Sequence, residues 1–178
     1  MMIACRLRYL AVSLMAVLIA LATPGCERGE DGFSDPSGKE TPQEPIVIKP
    51  DSVPVTNKEL DGIVKRLSGV WEGSLSTQWF NDYGEIVAGT YEANYEFEPP
   101  VGTSYQGKGL ETLYQNGTRV WRMSFEWSLN EKGHIRFVNA EGRGYNIKEY
   151  HLTGEAFSGT YHSDDMLETC RFDMRKQR

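Results

Sequence analysis

The chain has 178 residues, with 19 basic and 25 acidic side chains and a net charge of −6. An acidic balance without a basic cluster excludes the electrostatic footprint of a nucleic-acid binder, and of a protein drawn to anionic membrane surfaces by charge. Three cysteines, Cys5, Cys26 and Cys170, are too few for a disulfide framework.

In chain order, the first element concerns export. Arg6 and Arg8 precede an uncharged apolar run from Tyr9 to Ala22. A spanning helix needs about 20 apolar residues, so a basic start and a run of roughly 14 read as a secretory signal, over residues 1–25. Gly25-Cys26 resembles the cleavage site of a bacterial lipoprotein, in which a small residue precedes the cysteine that receives the lipid. That resemblance implies lipidation at Cys26 and attachment to the bacterial cell envelope, at the outer membrane or cell surface. Ordinary signal cleavage near Ala22 or Gly25 is the alternative. If Cys26 carries lipid, Cys170 has no disulfide partner; the other reading is a Cys26–Cys170 bridge in an oxidising compartment. Loss of the signal removes Arg6 and Arg8, leaving 17 basic against 25 acidic side chains, a net of −8.

Residues 26–55 hold five of the eight prolines (Pro36, Pro42, Pro45, Pro50 and Pro54) and little that is apolar beyond Phe33 and Ile46-Val47-Ile48. Such a stretch cannot bury enough surface to offset its ordering entropy. It reads as a disordered tether, about 30 Å long as a coil. Glu27, Glu30 and Asp31 resemble the acidic export tag of surface lipoproteins in the Bacteroides group.

Residues 56–178 form one domain. Thr56-Asn57-Lys58-Glu59 has the capping-box form, and Leu60, Ile63, Val64 and Leu67 follow at helical spacing. Ser68-Gly69 ends this short helix, whose apolar stripe is suited to plug one end of a β-domain. From there the polarity alternates. Strand one carries Trp71, Leu75 and Trp79 in phase. Strand two sets Tyr91, Ala93, Tyr95 and Phe97 against Glu92, Asn94, Glu96 and Glu98. Strand three runs from about Ser104 to Tyr114, with a bulge or bend expected at Gly107-Lys108-Gly109. Asn116-Gly117 is a strong hairpin signal. Strand four sets Trp121, Met123, Phe125, Trp127 and Leu129 against Arg122, Ser124, Glu126 and Ser128. Strands five, six and seven cover His134 to Asn139, Tyr145 to Leu152 and Ala156 to His162. Strand eight alternates Cys170, Phe172 and Met174 with Arg171, Asp173 and Arg175. Eight strands in meander order, each with one wet face, predict an all-β, antiparallel up-and-down barrel, since closure removes exposed edges. A two-sheet sandwich is the alternative.

The junction Leu67-Ser68-Gly69-Val70-Trp71-Glu72-Gly73, a Gly-x-Trp after a short helix, resembles the signature of the lipocalin or calycin superfamily. With the aromatic-rich strands and the lipoprotein-like start, it is similar to the lipocalin-like lipoproteins of Bacteroides-type bacteria. The resemblance implies that Gly69 and Trp71 close the blind end of the barrel. It also implies that a basic residue of the last strand covers the tryptophan, with Arg171 and Arg175 as candidates. Gly84 to Glu92 resembles the early hairpin of avidin-like barrels, but no later set of biotin ligands accompanies it.

Chemistry-bearing motifs are sparse. His134, His151 and His162 have no metal-ligand spacing, and no nucleophile motif is present. Cys170 on an apolar face reads as packing. No cofactor and no catalytic residue are expected. The aromatic content carries more information, because an eight-stranded barrel is wide enough either to be filled by side chains or to hold one small ligand. The expected function is binding of a small apolar or amphipathic ligand in a shallow cavity open at the end away from the helix, with Tyr91, Tyr95, Trp121, Phe125 and Trp127 as its walls. The rival readings are a filled barrel that contacts an envelope protein, an inhibitor target or a glycan, and an enzyme built around His151 or His162.

Overall fold

The computed structural model describes residues 44–178 with the exception of residue 103. The signal, Cys26 and the tether up to residue 43 lie outside the described residues. The helix α1 (Asn57–Leu67) begins at Thr56 with a complete capping box: Thr56 Oγ1 accepts from the Glu59 amide at 3.3 Å, and the Thr56 amide donates to Glu59 Oε2 at 2.7 Å. Leu60, Ile63 and Leu67 are its buried face.

After a first short strand, β1 (Ile46–Ile48), the helix leads into eight strands: β2 (Gly69–Phe80), β3 (Ile86–Phe97), β4 (Gln106–Gln115), β5 (Thr118–Leu129), β6 (Ile135–Asn139), β7 (Gly144–Leu152), β8 (Ala156–Ser163) and β9 (Glu168–Lys176). Each pairs antiparallel with the next, and β9 returns to β2 in register from Trp71↔Lys176 to Trp79↔Glu168. The result is a closed eight-stranded antiparallel barrel, as the period-two polarity predicts. The helix lies at one end with the β3–β4, β5–β6 and β7–β8 connections; the other four hairpins ring the opposite end. One of these is Asn116-Gly117, both at positive φ (52° and 73°), as a type I′ turn requires.

Two departures from the sequence reading have physical causes. The tether expected over residues 26–55 runs into the fold before its predicted end, because Ile46–Ile48 pairs with β7 (Ile46↔Leu152, Val47↔His151, Ile48↔Tyr150). The strand β6 has only five residues and covers β7 only up to Ile147, so β1 occupies the edge that β6 leaves bare. Ile48 joins the core, the Val55 amide donates to Glu131 O at 2.8 Å, and Arg66 donates to Glu44 O at 2.7 Å. Second, Gly107-Lys108-Gly109 is not a bulge. It runs in register with β5, and a Cβ on Gly109 would stand 2.3 Å from the Phe125 ring, one on Gly107 2.9 Å from the Trp127 ring. The glycines make room for aromatic rings, and the register shift falls instead between Leu113 and Tyr114.

If β1 is an integral strand, Ile48→Ala leaves a hole between α1 and β7 and costs about 2–4 kcal/mol. A urea unfolding curve of the mature chain is expected to shift its midpoint downward with an unchanged slope; an unmoved midpoint would show that β1 adds nothing to the domain.

Candidate functional site

The closed end is built around Trp71, which is fully buried. Its Nε1 donates to Leu67 O at 2.7 Å, tying the first strand to the last turn of the helix. The basic residue over its ring is Lys176, with Nζ 5.1 Å from the ring centroid and donating to Arg66 O at 2.7 Å. Burial lowers the Lys176 pKa. Arg171 and Arg175, the expected candidates, are exposed. Alternation explains the correction: Lys176 continues the inward series Cys170, Phe172, Met174, whereas the two arginines are on the outward parity. Gly69, at φ 124°, stands at the turn from helix to strand, and a Cβ there would lie 2.7 Å from Lys176 Cε.

Above this plug the lumen is filled. Rings meet from Trp71 to Phe157 (5.6 Å between centroids), Phe97 to Phe125 (5.4 Å), Phe125 to Phe137 (5.4 Å), Phe137 to Tyr161 (5.2 Å) and Phe157 to Phe172 (4.6 Å). Each such pair contributes about 0.5–1.5 kcal/mol beyond its buried area. The void left among Tyr95, Phe97, Phe137, Ile147, Phe157, Tyr161, Phe172 and Met174 is about 10 Å³. That is the space of roughly one water molecule.

The half of the lumen away from the helix is different in kind. Glu111 projects inward from β4, paired with Tyr95 and Met123 on the flanking strands. It accepts hydrogen bonds from the Tyr95 hydroxyl and, at 2.9 Å, from Trp121 Nε1. The Tyr95 and Tyr161 oxygens are 3.1 Å apart. Because Tyr95 spends its single proton on Glu111, Tyr161 is the donor, and a directed chain runs from Tyr161 through Tyr95 to the carboxylate. A second carboxylate, Glu168, is buried beside Trp79. It is ion-paired with Arg143 Nη1 at 3.1 Å and accepts from the Tyr145 hydroxyl at 3.4 Å, and Cys170 Sγ lies 3.7 Å from its other oxygen. Arg143 also reaches Asp165 at 3.4 Å and lies over the Tyr145 ring. Among the described residues, two buried polar atoms here have no hydrogen-bond partner: Thr77 Oγ1 and Arg143 Nε.

The five expected wall residues divide between these zones. Tyr95, Phe125 and Trp127 are buried in the packed interior; Trp127 Nε1 donates to Lys108 O at 3.0 Å. Tyr91 and Trp121 face inward but are partly exposed toward the mouth, and the Tyr91 ring folds over Gly89. The sequence reading missed Glu111, Glu168, Thr77 and Arg143. Parity would have found Glu168, which stands in phase with Cys170, and Thr77, in phase with Leu75 and Trp79. The histidines do not converge: His151 registers with Ser158 and His162 with Asn146, at opposite ends of one ladder, while His134 contacts Lys49 O at 3.1 Å. Among the described residues no group of three His, Cys, Asp or Glu side chains is placed to hold a metal. On the outer wall, a groove of about 390 Å³ lies between β7 and β8, lined by Pro50, Lys148, Glu149, Thr160 and His162 among others.

No protein-family model matches the sequence, and no curated protein matches it. Solved structures that match include a redesigned β-barrel, at 13% identity and a TM-score of 0.38, covering 65% of this chain and 96% of that one. That likeness is too distant to add to the strand pairings themselves.

The buried acids of the lumen generate a pH dependence. Burial, and then the charge of Glu111, pushes the Tyr95 pKa well above its ordinary value; burial and Tyr95 do the same to Tyr161; burial raises the Cys170 thiol. Raised values favour the neutral forms in the fold, so the stabilisation is complete below the unfolded-state values, about 8.5 for a thiol and 10 for a phenol, and is lost as pH rises through and beyond them. The melting temperature is expected to hold to about pH 8.5 and fall increasingly above pH 10, with Cys170→Ser removing the earliest part of the fall. A flat profile to pH 11 would contradict the buried network.

Proposed function

We propose that this chain is an exported lipoprotein, held in the bacterial envelope through Cys26, whose lipocalin-like barrel binds a small amphipathic molecule at its open mouth and catalyses no reaction. The observation that carries the reading is the gradient along the barrel axis. The enclosed half is packed to a void of about 10 Å³, whereas Tyr91, Glu111, Trp121 and Tyr145 face the lumen and still reach solvent. Ligand pockets for drug-sized molecules are about 300–1,000 Å³. A ligand therefore does not enter the packed half; it rests in the upper half, against Tyr91 and Trp121, with Tyr95, Phe125 and Trp127 as the floor beneath it. The stack of α1, Trp71 and Lys176 supports the lipocalin-like part of the reading.

A second reading draws on the same small void: a barrel this full acts through its outer surface, and the groove between β7 and β8 is where a partner would sit. The two separate in titration. A neutral amphipathic probe, N-phenyl-1-naphthylamine, is expected to quench tryptophan emission with saturation at one probe per chain, and Trp121→Ala to weaken it several-fold. Quenching that never saturates, or saturable binding lost on altering Lys148 and Glu149 and kept in Trp121→Ala, would favour the outer surface. For the anchor, the expected result is incorporation of labelled fatty acid in an expressing bacterium and its abolition in Cys26→Ser; equal labelling of both forms would refute it.

A further inference from the structure

We propose that the upper half of β3, from Ile86 to Tyr91, is a docking edge on which a second copy of this chain adds its own β3, antiparallel about a two-fold axis at Ala88. The inference is independent of what the mouth binds.

Closing a barrel staggers its hairpins against one another. A strand that overhangs its shorter neighbour presents backbone on that side. Three overhangs stand in this ring. One is on β7, where the pairing with β6 stops at Ile147, and β1 covers it from Tyr150 to Leu152. The second is on β5, whose pairing with β6 stops at Phe125 and leaves Thr118 to Met123 beyond it. This one is guarded. A bulge at Val120 breaks its line, between Leu113↔Trp121 and Tyr114↔Arg119, and Arg119 and Arg122 are exposed on it. Bulges and charges are the usual defences of an edge strand.

The third overhang is on β3. Its pairing with β4 stops at Glu92↔Tyr114, whereas its pairing with β2 runs without a register shift to Phe80↔Ile86. Among the described residues, no strand pairs with the far side of Ile86 to Tyr91. That stretch, Ile-Val-Ala-Gly-Thr-Tyr, has no charge, no proline and no bulge. Backbone groups alternate sides along a strand, and the Glu98 amide donates to Lys108 O across the β3–β4 seam. Even-numbered residues therefore face that seam, and Ile86, Ala88 and Thr90 turn their N–H and C=O to the bare side. An unguarded edge of this kind is a template for another strand.

The stretch is complementary to itself. Pairing centred on Ala88 sets Ala88 against Ala88 and Ile86 against Thr90 twice over. All three are positions that exchange both backbone bonds, so every bare group of the edge finds a partner. Like charges directly opposite each other are destabilising, and this register avoids them: Glu85 falls opposite Tyr91, and Glu92 opposite Gly84. Ile86 is 66% exposed, and the added strand covers it with Thr90 of the second copy.

The test is sedimentation of the mature chain carrying Cys26→Ser, so that the anchor plays no part. A two-strand seam is a small interface, and a dimer with Kd on the order of 100 μM is expected. Ala88→Lys sets like charges across the axis and should leave a monomer over the same range. Its melting temperature should not change, because residue 88 is exposed. Ala88→Pro should also give a monomer, since the N–H it removes points to the bare side, where proline is tolerated. Val120→Lys, on the guarded edge, should leave the dimer intact. Ala88→Cys reads the register: Cα atoms of such a pair stand about 5.5 Å apart, within disulfide reach. Oxidation should link two chains through it, Cys170 being buried. A chain that stays monomeric to about 1 mM overturns the proposal. So does a dimer that survives both Ala88→Lys and Ala88→Pro, or one that Ala88→Cys fails to link.

Discussion

A closed ring of eight strands has an interior only wide enough for one layer of large side chains from each wall. Everything distinctive in this domain follows from how that limited width is shared. Rings take the lower half, and the strands accommodate them by omitting side chains opposite. Gly107 and Gly109 on β4 stand across from Trp127 and Phe125, and a Cβ on Gly159 would come within 3.0 Å of the Phe172 ring. A glycine within a strand weakens it locally. The compensation is ring contact: Phe125 meets Tyr95, Phe97 and Phe137, Phe172 meets Phe157 and Tyr161, and Trp127 meets Phe97. The geometry of close-packed rings leaves room for about one water, and this is what confines any ligand to the upper half.

The upper half follows a different rule. A carboxylate out of water is tolerated only with donors around it, and here the same aromatic residues provide them. Tyr95 and Tyr145 hydroxyls point into the lumen toward Glu111 and Glu168 while their rings belong to the packed layer, and the partly exposed Trp121 adds its indole N–H to Glu111. The aromatic floor and the polar mouth are thus one construction. Removing a ring below removes a hydrogen-bond donor above, so stability and the chemistry of the mouth are coupled through shared residues. Glu168 adds a guanidinium partner, Arg143, and through Asp165 the pair ties the β6–β7 hairpin to the β8–β9 hairpin across the rim.

The legibility of all this in the sequence was uneven, and for identifiable reasons. Strands with strict alternation, β3 and β5 above all, were placed with their inward faces correct because period two is a local signal. β1 was not, because Ile-Val-Ile amid prolines has no local partner; its pairing with β7, some hundred residues on, exists only once β6 proves too short to cover that edge. β4 reads Gly-Lys-Gly-Leu-Glu-Thr-Leu, with glycines where the rings of β5 need space, so its alternation is erased and Glu111 could not be assigned a face. Lys176 and Glu168 failed for the opposite reason. Both lie on the inward parity of β9, but a charged residue at the end of an alternating strand is by habit assigned to solvent. The aromatic wall residues were legible as inward-facing. Which of them fill and which line depends on the summed volumes of eight strands, a property no single stretch of sequence contains.

That last point bears on how the two ends came to differ. At the blind end, Trp71 is held on three sides, by its own bond to Leu67 O, by Phe157 and by the Lys176 ammonium, whose proton bond to Arg66 O caps the helix terminus. A basic group at a helix C-terminus is favourable to the dipole, and the same group against an indole face is favourable again. Lys176 therefore does two things with one charge, and it does them where the barrel is sealed. At the other end the indole N–H of Trp121 and the hydroxyl of Tyr95 meet a carboxylate, Glu111. A tryptophan–ammonium contact closes one end of this barrel. The other end sets a tryptophan against an acid through the Trp121–Glu111 hydrogen bond, so the same residue type seals the base through its ring face and serves the upper lumen through its N–H.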